Sequence, residues 1–208
     1  MENFENFPFS GHSRLDAQLQ FSAIIDKMTS IRRRTMLIDR SRCENDAEHS
    51  WHTATMALLL HEHTSSDVAL LHSVEMLLVH DLVEIYAGDT FAYDTEKLAD
   101  KTEREKAAAD KLFSILPPGQ SGYIRSLWEE FEANETPEAN YANCLDTIQP
   151  FLHNLLTGGH TWVNSTPRPL RHQVEKRLSV CKEFMPKLYN WAMEQIANAV
   201  KNGWLLEE

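Results

Sequence analysis

The chain has 208 residues, of which 42% are hydrophobic and 25% charged, proportions that exclude wholesale disorder and allow one domain with a substantial core. A formal charge of −11, from 31 acidic against 20 basic residues, excludes a nucleic-acid duplex as main partner, because such backbones are gripped by clustered Lys and Arg. Three scattered cysteines (Cys43, Cys144 and Cys181) without a CxxC pair exclude a disulfide framework, and with no signal-type N-terminus or bilayer-length apolar run they predict a cytoplasmic protein outside the membrane.

Helical periodicity dominates and strand alternation is nearly absent. After a loose N-terminal stretch, Leu15, Leu19, Ile24, Ile25 and Met28 predict an amphipathic helix leading to the basic segment Ile31-Arg32-Arg33-Arg34. Arg32 and Arg33 read as solvated surface, and residues 37–45 as a polar loop. Glu44, at the end of that loop, is expected only to favour the dipole of the next helix. That helix starts at Asn45-Asp46-Ala47-Glu48, with Asn45 as N-cap and Glu48 reaching back, and runs towards His63. Ser65-Ser66-Asp67 punctuates. A helix over residues 69–87 follows, apolar around most of its circumference and therefore buried, with Gly88 as its C-cap.

Residues 88–94 read as a loop, and a charged helix over 95–116 stops at Pro117-Pro118. A short helix then carries Ile124, Leu127, Trp128 and Phe131 on one face, as core or subunit contact. Glu129, Glu130 and Glu132 belong to a solvated face. Thr136-Pro137-Glu138 starts the next helix, which carries Asp146 and bends at Pro150. A loop over 158–169 precedes a last helix over 170–201, interrupted near Pro186. The fold class is all-α: one helical bundle over 1–208, with a core at about 34–150 and the 170–201 helices packed on it.

Four side chains in three of these helices are metal-ligand types: His49, the adjacent pair His80-Asp81, and Asp146. Two imidazoles with two carboxylates suit one divalent ion such as Mn, Co, Fe, Zn or Mg. A charged pair within the run Leu77-Leu78-Val79-His80-Asp81-Leu82-Val83 is costly to bury unless a cation or a partner compensates it. His80 and Glu84 are four apart and share a helical face, with Asp81 offset by one. His52 reads as a neighbour of the pocket or as surface. His61, His63 and His72 read as surface or packing residues, and His153 and His160 flank the second loop within possible reach of substrate.

Glu48-His49-Ser50, then His80-Asp81-x-x-Glu84-x-x-x-Gly88-Asp89, then Leu145-Asp146 resemble the HD-domain metal-dependent phosphohydrolases, and within them the 5′-deoxynucleotidase branch. The resemblance runs from about Arg34 to Asp146. It implies that His49, His80, Asp81 and Asp146 hold one divalent metal, that Glu84 and Asp89 lie beside the metal-bound water and divide the general-base and general-acid roles in either order, and that Arg34 binds phosphate. The residue after that arginine is a tryptophan in the branch and Thr35 here, which opens the sugar preference. The resemblance further implies a homodimer and a small phosphorylated substrate, in the first place a (deoxy)nucleoside 5′-monophosphate. The alternatives are another small phosphate ester, or an HD-fold nucleotide sensor without turnover. A di-iron oxygenase is disfavoured, because no histidine lies between Asp81 and Asp146 to hold a second iron.

Overall fold

The computed structural model describes residues 7–94 and 98–208. Helices α1 (Ser13–Ile25), α2 (Asp46–Leu60), α3 (Leu70–Val79), α4 (Glu84–Ala87), α5 (Lys101–Phe113), α6 (Pro118–Ala133), α7 (Pro137–Leu156), α8 (His160–Val163), α9 (Arg171–Leu178), α10 (Cys181–Phe184) and α11 (Pro186–Lys201) build the molecule. Helices α2, α3 and α7 pack on one another, with α6 against α3 and α7 and the C-terminal helices closing over α7. Met76, Leu77, Leu112, Leu127, Leu145 and Ile148 form the centre of one core, each at most 2% exposed. Tyr141, wholly buried on α7, donates its hydroxyl to the Ala57 carbonyl of α2 at 2.7 Å, which fixes the height of one helix against the other. The all-α expectation stands, and no helix among the described residues is long and apolar enough to cross a membrane.

Four local expectations are met. Asn45 caps α2 by accepting from the Glu48 backbone N–H at 2.9 Å, while the Glu48 carboxylate accepts from the Asn45 N–H at 3.0 Å. Arg42 grips that same carboxylate. Thr136 caps α7 with Pro137 in the first turn, and Gly88 ends α4 at φ 76°, where a side chain would be strained. The last helix is interrupted before Pro186, as expected.

Three expectations need correction. Residues 37–45 are not simply a loop: β1 (Arg32–Met36) and β2 (Cys43–Asn45) pair antiparallel as a hairpin. Two strands this short leave too few alternating positions to read, and their pairing depends on packing against α7. The charged helix of 95–116 begins at Lys101 and ends at Phe113; residues 95–97 lie outside the described residues. Most consequentially, the helix expected over 69–87 breaks at His80. The backbone tightens there to i→i−3 bonds, with Leu82 donating to Val79, Glu84 to Asp81 and Ile85 to Leu82 at 3.0, 3.0 and 3.3 Å. In such a turn residues three apart eclipse, so Glu84 falls beside Asp81 rather than beside His80.

The N-cap anchors the helix that carries His49. Replacing Asn45 with Ala is expected to cost about 1 kcal/mol, read as a lower urea midpoint by circular dichroism at unchanged m-value. An unaltered midpoint would show that the hairpin, not the cap, holds the start of α2.

Candidate metal centre

The break after α3 and the capped start of α2 point their polar residues at the same spot on α7. His49 Nε2 lies 2.9 Å from Asp146 Oδ1 and 3.8 Å from Asp81 Oδ2, and His80 Nε2 lies 3.2 Å from Asp81 Oδ2 and 3.7 Å from Asp146 Oδ1. The four residues read from the sequence as a set are thus brought together, with both imidazoles fully buried.

The hydrogen bonds behind the rings decide which nitrogens face inward. His80 Nδ1 donates to the Leu77 carbonyl at 2.9 Å, and His49 Nδ1 meets the Gln149 side-chain oxygen at 3.0 Å. With Nδ1–H engaged on each ring, Nε2 is the nitrogen left to face the carboxylate oxygens, and in the neutral imidazole it presents a lone pair to them. His80 Nε2 has no hydrogen-bond partner, although it is buried. Lone pairs facing carboxylates repel unless a cation sits between them, and these residues fit a divalent ion with nitrogen and oxygen donors. The same demand for positive charge shows in the titration. Burial opposes the His80 imidazolium, but Asp81 and Asp146 overcome it and push its pKa up to about 10. Asp146, although burial works against its charge, is held well below the ordinary carboxylate range by His49 and His80.

A second group of carboxylates adjoins the first. Asp46, Asp81 and Glu84 bring oxygens within 4.8 Å of one another, all buried. Burial and then the Asp81 charge push Asp46 up to about 7, and burial with Asp81 and Asp46 raises Glu84 well above its usual range. Asp89, turned inward past Gly88, is likewise raised, chiefly by burial. Its loop is held by Arg104 of α5, which donates to the Ala87 carbonyl at 2.8 Å and to Thr90 Oγ1 at 3.0 Å.

The guanidinium that answers these charges is Arg33. Its side chain is 15% exposed and reaches Asp81 at 2.6 Å, Asp46 at 3.4 Å and Glu44 at 3.5 Å. The solvated-surface reading of Arg33 is therefore wrong, because on β1 it points inward. Arg34 points the other way and rests over the Phe91 ring at 4.6 Å, still at the cavity wall. Glu44 is also corrected: it is 1% exposed and serves the site rather than the helix dipole alone. Gln149, which the sequence reading did not single out, lies three residues after Asp146 on the same helical face, and that spacing was the available signal.

The cavity beside the cluster has two characters. Near the carboxylates it is lined by Arg33, Arg34, Lys101 and Glu132, so Glu132 belongs to the cavity wall as well as to the outer face of α6. Its wall also carries Phe91, Tyr93, Phe151 and Trp162, with Arg177 from α9. Phe131 backs the His80 ring at 4.8 Å, and Trp128 is core. Of the remaining histidines, His153 is buried and bonds the Met36 carbonyl at 3.1 Å, His61 bonds the Val68 carbonyl, and His72 pairs with Glu130 at 2.8 Å. His160 is not among the lining residues.

Arg33 compensates three buried acids. Arg33→Met is expected to lower unfolding free energy by about 3 kcal/mol in chelator, with part of that loss recovered when Mn²⁺ is added. Thermal melts in both conditions check this, and a loss identical with and without Mn²⁺ would contradict it.

Comparison with known proteins agrees with this geometry. The HD domain family model matches residues 25–188. The 5′-deoxynucleotidase HDDC2 of Danio rerio is 30% identical over 65% of this chain and 66% of its own length, and the human HDDC2 is 27% identical over 73% of each chain. The chain thus spans about two thirds of the zebrafish relative. The crystal structure of a predicted metal-dependent phosphohydrolase from Magnetospirillum magnetotacticum MS-1 is 47% identical, with a TM-score of 0.85 over 93% of this chain and 99% of that one. Matched over most of its length and carrying a buried His/Asp cluster suited to a divalent ion, this chain belongs to the HD domain family of metal-dependent hydrolases.

Proposed function

We propose that the protein is a phosphomonoesterase that cleaves nucleoside 5′-monophosphates to nucleoside and phosphate, with His49, His80, Asp81 and Asp146 as ligands of one divalent ion. The observation that carries this reading is the pair of inward-facing Nε2 atoms converging on two carboxylates, beside a cavity whose wall carries both cationic and aromatic side chains. A divalent ion held there supplies Lewis acidity to a phosphoryl oxygen and makes water a nucleophile near neutral pH.

The chain's own residues do the rest. Arg34, stacked on Phe91 and in no salt bridge among the described residues, holds phosphate oxygens and neutralises charge that builds as the attacking water adds to phosphorus. Arg33 fixes Asp81 and, with Lys101, keeps the phosphate end of the cavity positive. Glu84 and Asp89 share the two proton transfers, one taking a proton from water and the other giving one to the departing 5′-oxygen as the P–O bond breaks. Phe91, Tyr93, Phe151 and Trp162 offer the faces on which a base stacks, with Arg177 at its edge. Thr35, buried where the deoxynucleotidase branch carries tryptophan, leaves room at the sugar, so the reading covers ribose and deoxyribose.

Two wider features belong to the same reading. The chain acts as one domain in the cytoplasm, and it pairs with a second copy through outward apolar positions of α2 and α3. Trp51, Leu58, Leu59, Leu71 and Leu78 are each at least 50% exposed there, a concentration that monomeric surfaces avoid. Sedimentation of the purified protein is expected to give a dimer, and Leu58→Glu with Leu71→Glu a monomer.

Phosphate release from dAMP, AMP, dGMP, dCMP, UMP and glucose 6-phosphate, with Mn²⁺, Co²⁺ and Mg²⁺ supplied separately, tests the activity. Nucleotides are expected to turn over above the sugar phosphate. Glu84→Gln and Asp89→Asn are each expected to lower kcat about 10²–10⁴-fold without loss of bound metal. If metal-loaded wild type released no more phosphate than Asp81→Asn, the proposal would fail.

A further inference from the structure

Behind the inward-facing side of His49 lies a buried polar chain that the hydrolytic steps do not use. Gln149, fully buried on α7, stands at its centre. Its side-chain nitrogen lies 2.7 Å from Glu44 Oε2 of β2 and 3.2 Å from His153 Nε2, while its side-chain oxygen lies 3.0 Å from His49 Nδ1. His153 is itself set by its other nitrogen, which bonds the Met36 carbonyl of β1 at 3.1 Å, so its Nε2 accepts. Both N–H bonds of the Gln149 amide therefore have fixed acceptors. Turning the amide over would place its oxygen against the Glu44 carboxylate and the His153 lone pair, which is repulsive at both contacts. Only one orientation is left, and in it the oxygen must accept from His49. The Nδ1 of His49 then carries a proton, which leaves Nε2, 2.9 Å from Asp146, as the nitrogen able to give a lone pair to a cation.

We infer that Glu44 and Gln149 are positioning residues: the Glu44 carboxylate locks the Gln149 amide, and the amide locks the His49 tautomer that presents Nε2 to a divalent ion. The inference rests on the proposed metal role of His49. Neither residue touches the cavity, since both stand behind the ring. A hairpin residue and a helix residue 105 positions apart in sequence thereby decide the donor quality of a ligand on α2. His52, with Nδ1 at 3.3 Å from the same amide nitrogen, is a secondary acceptor and is not required for the lock.

The chemistry predicts a reciprocal exchange. In Glu44→Gln the amide at 149 loses its charged anchor, and in Gln149→Glu two carboxylates face each other. In the double variant Glu44→Gln/Gln149→Glu, the new carboxylate at 149 accepts from both His49 Nδ1 and the amide at 44, and His153 takes a proton on Nε2 and donates to it. The experiment uses full-length protein, with Zn²⁺ and Mn²⁺ titrated calorimetrically and the His49 ring nitrogens of the Zn²⁺-loaded protein followed by long-range proton–nitrogen NMR. Each single variant is expected to lose about 10–100-fold in metal affinity. The exchange variant is expected to return to within a few-fold of wild type, with Nδ1 protonated again.

A double variant as weak as the two losses combined would overturn the inference, because packing alone predicts accumulation rather than rescue. Should the exchange variant fail to fold, Glu44→Gln alone decides: a second His49 tautomer supports the lock, and an unchanged affinity and spectrum overturn it. If wild type bound neither ion, the metal reading itself would fail. If wild type bound them and Glu44→Gln bound them equally, only the positioning role would fall.

Discussion

Everything in this molecule is arranged around an excess of buried negative charge. Glu44, Asp46, Asp81 and Glu84, all buried, and the half-buried Asp146 come together from a hairpin, two helices and a tightened turn, and a carboxylate taken out of water needs compensation worth several kcal/mol. Arg33 supplies one positive charge, and the two imidazoles supply donors for another. The helices that carry these groups must be fixed in height and rotation, or the charges would face one another without relief. The Asn45 cap, the Tyr141 bond to Ala57 and the His80 bond to Leu77 do that fixing.

The break after Val79 shows how a local departure from regular helix makes a site. A continuous helix would place Glu84 above His80 and leave Asp81 to one side. With i→i−3 bonding, Asp81 and Glu84 share a face and meet Asp46, while His80 points between Asp81 and Asp146. The same five-residue stretch thus feeds both the imidazole-bearing cluster and the carboxylate group beside it. Gly88 then turns the chain, so that Asp89 reaches the same cavity.

The parts legible in the sequence were those encoded by local pattern. Helix caps at Asn45 and Thr136, the stop at Gly88 and the set His49, His80, Asp81 and Asp146 could be read from spacing and residue type. What was illegible depended on pairing across the chain. Arg33 looks like its neighbours Arg32 and Arg34 until β1 forms and turns alternate side chains inward. Glu44 looks like a helix-start acid until Gln149 arrives from α7. The break at His80 follows from a side chain bonding its own backbone, which apolar periodicity does not record. The aromatic chamber draws on the loop after Gly88 and on α7 and α8, and α9 adds Arg177; α8 and α9 are remote in sequence from the HD motif.

The central claim is that the inward-facing imidazoles and carboxylates form a divalent-cation site, and the most direct test is where a cation binds. Crystals grown with Mn²⁺ and measured on both sides of its absorption edge would locate the ion without reference to turnover. The account predicts one strong anomalous peak within about 2.3 Å of His49 Nε2, His80 Nε2 and oxygens of Asp81 and Asp146. A peak elsewhere, or none while Arg33 still fills the space beside Asp81, would contradict it.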